Sequence, residues 1–466
     1  MSTKHTKAAD LFIENKEQQV WHNKTLHFVR DKRDKMAMQL PEWEVLRETA
    51  HKIKMHTITH LDHYLDLFST RAEANGIQVH WAKDAEEHNQ IVYEILQSHK
   101  VRKLVKSKSM LAEECHLNPY LIDKGINVVE SDLGERILQL LNEPPSHIVM
   151  PAIHLKRQEV GKLFEEKLHT EKDNSDPTYL TRAARAHLRE EFLTADAAMT
   201  GANFGVAETG DIVVCTNEGN ADMGTALPPL HIVTMGMEKV IPNLQSLSVF
   251  IRLLARSATG QPVTAYTSHY RKPREGCEMH LVIVDNGRSE ALSNEDHIQT
   301  LKCIRCGACM NTCPVYRRSG GYSYTYFIPG PIGINLGMLH APKEYYDNLS
   351  ACSLCYSCNN VCPVKIDLAD QIYKWRQNLD SFGKADPMKK VMSEGMKFMF
   401  ERPALFRTGL KMAPIVNHMP RPLIYNGLND WGKGRELPQF ASESFAALWK
   451  KGKVSAANQK RSNHEQ

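Results

Sequence analysis

At 466 residues the chain is too long for one ordinary hydrophobic core, and its 42% apolar and 24% charged residues fit a soluble globular protein of two or three domains. A net charge of +4 is too small to argue for nucleic acid, and no run approaches the roughly 18 consecutive apolar residues of a membrane span. The opening MSTKHTKAADLFIENKEQ has no apolar stretch behind its lysines, so no secretory signal is expected. The expected compartment is the cytosol, where eleven cysteines point to metal before disulfides.

Residues 1–70 read as an N-terminal helical arm or cap, with LFIENKEQQVW and LRETAHKIKMHTITHLDHYLDLF as its clearest segments. Within it, His51, His56, His60 and His63 raise a zinc question, since His56 and His60 are four apart on one helix face. HTITH lacks the glutamate of HExxH, and solvated or packed histidines are the better reading.

Residues 71–295 alternate between strands and helices. Short β-branched runs recur at IQVHWA (77–82), KLVKS (103–107), INVVESD (126–132), HIVMPA (147–152), DIVVCTN (211–217), LHIVTMG (230–236) and HLVIVDNG (280–287). Most are near-continuous apolar runs, as strands buried on both faces of a sheet require. AEEHNQIVYEILQSH (85–99) places Ile91, Val92, Ile95 and Leu96 at helical spacing between two of them, so the region predicts a largely parallel α/β domain.

No GxGxxG follows a predicted strand, so a dinucleotide-binding turn is unsupported, and no flavin signature is present either. GLNDWGK, Gly427 to Lys433, fits GxxxxGK. However, Gly434 stands where magnesium binding needs Ser or Thr, and no strand precedes it.

One loop has the composition of a ligand site. TGANFGVAETGDIVVCTNEGN (200–220) sets Gly201, Gly205, Gly210 and Gly219 around a strand, with Asn203, Glu208, Thr209, Asn217, Glu218 and Asn220 between them. Glycines admit a ligand close to the backbone, and carboxylates with amides orient a polar one; Asn203, Glu208, Thr209, Glu218 and Asn220 are the candidates. The competing reading is purely conformational, because the same residues dominate hairpin turns.

Residues 296–385 carry the strongest signal. Cys303, Cys306, Cys309 and Cys313 are followed by Pro314, and 49 residues later Cys352, Cys355, Cys358 and Cys362 are followed by Pro363. Both runs read C-x2-C-x2-C-x3-C-P, the spacing of bacterial-type [4Fe–4S] sites. Three thiolates on a tight loop cap three irons of a cubane, and the fourth cysteine of each run reaches the other cluster. By that rule Cys303, Cys306, Cys309 and Cys362 hold one cluster, and Cys352, Cys355, Cys358 and Cys313 hold the second. Zinc patterns pair CxxC units across a longer gap, and disulfides conflict with the cytosolic reading. Cys115, Cys215 and Cys277 have no spacing partner and read as small buried hydrophobes. The 38 residues between the runs read as a loop followed by a helix-like stretch, LGMLHAPKEYYDNLSAC, as in helical ferredoxin modules of respiratory oxidoreductases.

Residues 386–466 form a basic tail with fourteen Lys or Arg against seven Asp or Glu, a net of +7 that leaves −3 for the rest. VMSEGMKFMFERPALFRTGLKMAPIV mixes Met, Phe and Leu with basic residues, as helices at a partner or an anionic membrane surface do. Packing back onto the cysteine module is the better reading, since Met and Phe at helical spacing usually mean core.

Together VKSKSMLAEE (105–114), VVESDLGERILQL (128–140), PSHIVMPAIH (145–154), TGANFGVAETG, NEGN, HLVIVDNGRS (280–289), the two cysteine runs with YRRSGG and PGPIG between them, and LPQFASESFAALWKK resemble the lactate utilization protein B family. The resemblance spans nearly the whole chain, with no departure in the eight run cysteines. It implies a parallel-sheet LUD domain, similar in fold to ribose-5-phosphate isomerases and CoA transferases. It also implies an all-α ferredoxin-type module with two [4Fe–4S] clusters and a helical C-terminal tail. It further implies a part in oxidising L-lactate to pyruvate, alongside a cysteine-rich partner and a shorter LUD-domain protein. Fold analogy does not transfer catalysis, so neither Glu208 nor Glu218 takes a transferase role. The expected role is electron transfer, with the chemical step at a partner or a shared interface. Two other readings stay open: a LUD domain that acts itself on a small carboxylate or thioester, and a redox sensor or scaffold. Glycolate or another 2-hydroxy acid also remains open as substrate, and peripheral membrane contact through the basic tail as a location.

Overall fold

The computed structural model describes residues 4–382, 387–425 and 437–453. The chain divides into two units, Met1–Phe382 and Gly383–Gln466. The GLNDWGK stretch lies outside the described residues.

The first unit opens with four helices: α1 (Lys4–Glu14), α2 (Lys16–Met38), α3 (Trp43–Thr59) and α4 (Leu61–Ala74). Asn15 ends α1 and caps α2, its side chain accepting from the Gln18 amide at 3.1 Å, so LFIENKEQQVW spans two helices rather than one. These helices are no free arm. α2 packs on the helices Ala308–Thr312 and Pro314–Ser319 of the first cysteine run, and the Arg33 and Arg47 guanidiniums donate to the Val361 and Cys362 carbonyls, each at 3.0 Å.

A six-stranded, wholly parallel sheet follows, in the order β1 (Gln78–Ala82), β10 (Glu278–Val284), β7 (Leu230–Gly236), β4 (Ala197–Gly201), β2 (Lys103–Lys106), β3 (Asn127–Glu130). Its inner strands β10, β7 and β4 are largely apolar on both faces because both are covered. Ile232 and Val282 point into one core with Val92 and Leu96 of helix α5 (Ala85–Ser98), while Val233 and Ile283 point into another with Leu61 and Phe68 of α4. Asp84 starts α5 by accepting from the Glu87 amide at 2.9 Å.

Two strand expectations need correction. HIVMPA (147–152) forms no strand but a tight loop, in which the Val149 and Met150 amides donate to His147 Nδ1 at 3.0 and 3.1 Å. Its apolar character comes from burial of Ile148 against Cys306 and its neighbours, not from a sheet. DIVVCTN is a strand, β6 (Asp211–Thr216), but an antiparallel one. It belongs to a second sheet of order β8 (Val240–Ile241), β5 (Phe204–Val206), β6, β9 (Tyr266–Tyr270). β4, AAMTG, has Thr200 as its single β-branched residue and is a central strand through its pairing and burial.

Between the cysteine runs a helix, Gly330–His340, begins inside the stretch expected to be a loop. Gly333 permits it: a Cβ there would stand 1.7 Å from the Ile328 carbonyl oxygen. In the second unit, helices Pro387–Phe400, Pro403–Met412, Arg421–Ile424 and Phe445–Lys450 are short. Within these helices Val391, Phe398 and Phe400 are exposed. No described helix is long and apolar enough to cross a membrane.

Candidate metal centre and adjoining cleft

The two cysteine runs build the same local backbone. In the first, Arg305 and Gly307 take φ of 58° and 73°; in the second, Leu354 and Tyr356 take 52° and 60°. Three of these four are not glycine, so the left-handed turns are held against a steric cost. The turns aim amides at sulfur: Arg305 N and Leu354 N donate to Cys303 Sγ and Cys352 Sγ, both at 3.4 Å. Tyr316 N and Ile366 N do the same for Cys313 Sγ at 3.5 Å and Cys362 Sγ at 3.3 Å. Pro314 sits in the first turn of a helix, where no amide is needed, and so releases the chain from the loop. The helices Ala308–Thr312 and Ser357–Val361, at matching positions of the two runs, pack on each other and bring the runs together.

The two runs bring their sulfurs close to one another. Burial first, then the charges of Cys362 and Cys303, raise the Cys306 thiol, and Cys309 is raised by burial and by Cys303, Cys306, Cys358 and Cys362. Burial pushes Cys313 up to about 11, with Cys352 and Cys355 as its charged neighbours; burial also raises Cys358, with Cys313, Cys352 and Cys355 around it. Cys303, Cys306, Cys309 and Cys362 line one small cavity walled by Ile148, Ile332 and Val364. All eight are free thiols, none in a disulfide. Five of the eight, Cys306, Cys309, Cys313, Cys358 and Cys362, are buried, Cys303 and Cys352 are half-buried and Cys355 is exposed. Thiols crowded together in this way, each run offering amide donors to them, fit metal thiolates.

Next to this cavity lies a cleft of about 320 Å³ at the carboxyl ends of the parallel strands, where ligands of open α/β sheets bind. Ser107 and Lys108 line it just beyond β2, Asn203 just beyond β4 and Lys239 beyond β7. Arg305 closes it from the first cysteine run, and Ile148 lines both the cleft and the cysteine cavity. Its floor is a buried ion network. Arg288 holds Glu114 of helix α6 (Met110–Glu114) through two bonds of 2.9 and 3.0 Å and also holds Glu238. Burial pushes the Glu238 carboxyl up, but the charges of Arg288, Lys239 and Arg305 reverse this and hold it at about 2. Burial lowers Lys239 to about 8 and Lys54, which donates to the Glu238 carbonyl, to about 7; Glu238 opposes both shifts.

The structure separates the residues singled out in the 200–220 loop. Asn203, Glu218 and Asn220 line the cleft. Asn203 is fixed by accepting from the Cys215 amide at 2.8 Å, Asn220 donates to Ser131 Oγ at 3.3 Å, and Glu218 is exposed. Glu208 and Thr209 stand in the β5–β6 turn instead. Glu208 accepts from the Leu244 amide at 3.4 Å, Thr209 Oγ1 from the Asp211 amide at 3.3 Å, and neither lines the cleft. Ser107, Lys108, Lys239 and Arg305 went unread. Their signal is polar residues directly after buried apolar strands, or inside a ligand loop, a position that carries function in parallel sheets. Of the single cysteines only Cys115 is fully buried; Cys215 and Cys277 are half-buried, and Cys215 lines the cleft. His56 and His60 are exposed at the end of α3, their rings tilted at 36° with centroids 4.5 Å apart, and His56 Nε2 meets the Tyr64 hydroxyl at 3.0 Å.

The LUD domain family matches residues 65–291, the 4Fe-4S dicluster domain residues 299–366, and the C-terminal domain of lactate utilisation protein B residues 379–454. The dicluster match spans both cysteine runs, and two [4Fe–4S] clusters are the cofactors it describes. The uncharacterized electron transport protein YkgF of Escherichia coli K12 is 41% identical over 431 residues, 90% of each chain. Lactate utilization protein B of Bacillus cytotoxicus is 41% identical over 433 residues, covering 90% of this chain and 91% of that one. Its counterpart in Bacillus pumilus is 43% identical over 435 residues, with the same coverage. A crystal structure of a DUF162 family protein from Deinococcus radiodurans overlaps 48% of this chain and 98% of its own at 14% identity, with a TM-score of 0.27. On identity sustained over nine-tenths of both chains, the protein belongs to the lactate utilization protein B family.

Proposed function

We propose that the chain is the iron–sulfur electron-transfer subunit of a multi-protein system that oxidises L-lactate to pyruvate. The observation that carries this is that Cys362 of the second run lines one small cavity with Cys303, Cys306 and Cys309 of the first, while Cys313 of the first run has Cys352 and Cys355 as charged neighbours. Cys303, Cys306, Cys309 and Cys362 are assigned to one set, and Cys352, Cys355, Cys358 and Cys313 to the other. In this reading those two sets are the cluster ligands. Bound there, two [4Fe–4S] clusters supply one-electron transfer, so that a two-electron oxidation is taken up in single steps. The protein's own groups prepare the site. Amides at Arg305, Leu354, Tyr316 and Ile366 donate to the sulfurs, which spreads their negative charge. Arg33 and Arg47 bring positive charge to the first set, and Arg376 to the second by donating to the Cys352 carbonyl at 2.6 Å. Ile148, Ile332 and Val364 keep water from the first set.

The relatives named for lactate utilization and for electron transport support the same reading. A cysteine-rich partner and a shorter LUD-domain protein are the proposed companions, with the basic tail as a docking element for them or for a membrane surface. The test is anaerobic purification followed by iron, sulfide and EPR measurement, before and after adding the companions and L-lactate. About eight irons per chain and an EPR signal that appears with lactate are expected, as is loss of that signal in Cys306→Ser. Undiminished lactate turnover in Cys306→Ser refutes the role.

A further inference from the structure

We infer that the cleft at the strand ends is itself a binding site for a small hydroxy-carboxylate, and that Lys239 and Arg305 couple its occupancy to the charge held at Cys303. This deepens the proposed function and rests on it only for the identity of the acid.

The site is built from groups that lack partners within the protein. Ser107 Oγ and Asn220 Oδ1, on residues only 5% and 4% exposed, line the cleft without a hydrogen bond, as does Arg305 Nη1. A buried donor or acceptor left bare costs about 1–3 kcal/mol, so such groups mark where a ligand's polar atoms belong. Arg305 Nη1 is a cationic donor and wants an anionic oxygen. Asn220 Oδ1 is an acceptor and wants a hydroxyl, which Ser107 accompanies as donor or acceptor. The charge balance agrees at the deep end: Glu114 and Glu238 face Arg288, Lys239 and Arg305, one cation more than carboxylates. Arg288 is spent on Glu114 and Glu238, and Arg305 reaches Glu238 only through Nη2 at 3.9 Å, which leaves Arg305 Nη1 and the Lys239 charge for a ligand. The other charged groups of the wall are engaged or remote. Lys108 donates to the Val149 carbonyl at 3.1 Å, Asp132 accepts from the Glu135 amide at 3.1 Å, and Glu218 is exposed. Ile148, Val149, Leu254 and Ala258 supply an apolar wall for a short alkyl group.

The coupling follows from position. Arg305 lies between Cys303 and Cys306 in the chain and also in the cleft wall beside Lys239, and Cys303 and Arg305 line a second small pocket together with Glu238 and Arg288 of the cleft floor. An electron added at the Cys303 set and an anion in the cleft compete for the same two cations. Each therefore weakens the other by one shared factor.

The test uses the full-length, cluster-loaded chain without companions, under nitrogen, by equilibrium dialysis against radiolabelled L-lactate, with acetate and inorganic phosphate as comparison probes. Binding of L-lactate is expected, weakened about tenfold or more in Lys239→Gln and in Ser107→Ala at unchanged iron content. Reduction with dithionite should weaken it as well, and a tenfold weakening requires lactate to lower the midpoint potential by about 59 mV in an EPR titration. No binding at millimolar lactate, or unchanged affinity in both variants, overturns the site. Acetate binding as tightly as lactate overturns the hydroxyl contact, and phosphate binding more tightly than lactate overturns the carboxylate class. Lactate binding that reduction leaves unchanged overturns the coupling. If the companions and lactate reduce the clusters while the isolated chain binds no lactate, the electron-transfer role stands and this site falls. Lys239-dependent binding without any lactate-driven cluster reduction leaves the site standing and removes the role.

Discussion

Replacing Arg288 with Met tests the ion network under the cleft. The guanidinium donates to both Glu114 oxygens, to Glu238 and to the Asp285 carbonyl at 2.8 Å, and its side chain is only 8% exposed. Methionine fills the volume but leaves Glu114 with Asn286 as its one remaining donor, at 2.8 Å, while Glu238 keeps Lys239 and the more distant Arg305. Breaking one side of a buried pair in this way costs about 3–5 kcal/mol. Spread over a unit of roughly 380 residues, whose unfolding entropy is about 0.8 kcal/mol/K, this lowers Tm by about 4–6 °C at a fixed scan rate. The pH dependence has a definite sign. In the native protein Glu238 is held at about 2, below its unfolded value of 4.5, so its contribution is complete above pH 4.5 and fades as pH falls toward 2. In the variant the orphaned Glu114 carboxyl rises above its unfolded value, so the deficit is largest near pH 7 and shrinks on approach to pH 5. Adding Glu114→Gln to Arg288→Met removes the stranded charge and should restore most of the lost Tm. A single variant within 1 °C of the parent, or a double variant no better than the single, refutes the reasoning.

Gly333→Ala drives a Cβ to 1.7 Å from the Ile328 oxygen and 2.5 Å from its carbon, so a loss above about 3 kcal/mol is expected. Gly125→Ala, at φ +83° with nothing within 4 Å, should cost only about 1–2 kcal/mol; equal Tm losses would refute the steric account. His231, whose Nε2 meets Thr200 Oγ1 at 2.9 Å, is lowered by burial, helped by the charge of Arg274, to about 3. A base depressed in this way withholds stability as pH drops below 6.5, by about 2 kcal/mol at pH 5. His231→Gln should flatten the acid limb of the stability curve between pH 7 and 5 by that amount, and an unchanged slope would count against it. The crossed ligand sets predict that Cys313→Ser disturbs the same EPR signal as Cys352→Ser, and Cys362→Ser the same one as Cys303→Ser. Pairing by run instead would dismiss the crossing.

Much of the parallel sheet was legible because its strands announce themselves. Runs such as LHIVTMG and HLVIVDNG are near-continuously apolar, and the alternation of Ile232 with Val233, and of Val282 with Ile283, between two cores explains why. HIVMPA carries the same signal for a different reason, burial against the cysteine module, and local sequence does not distinguish the two. AAMTG shows the converse, a central strand with Thr200 as its single strand-favouring residue, placed by the neighbours that pair with it. In the 200–220 loop, composition marked both a cleft wall and a hairpin turn. Asn203 and Asn220 went to the first, Glu208 and Thr209 to the second.

By itself the sequence determined the chemistry of the cysteine runs, because ligation of a cubane depends on local spacing, and spacing is written in the chain. It determined the family as well, through motifs spread over the whole length. Tertiary structure decided which sulfurs share a neighbourhood, since Cys306 and Cys362 are 56 positions apart and meet through packing of the helices that follow the two loops. It also decided that a cleft adjoins them. Ser107, Asn220, Lys239 and Arg305 come from four separate segments, and only the order in which strands pair, with the first cysteine run laid across their ends, sets them around one space.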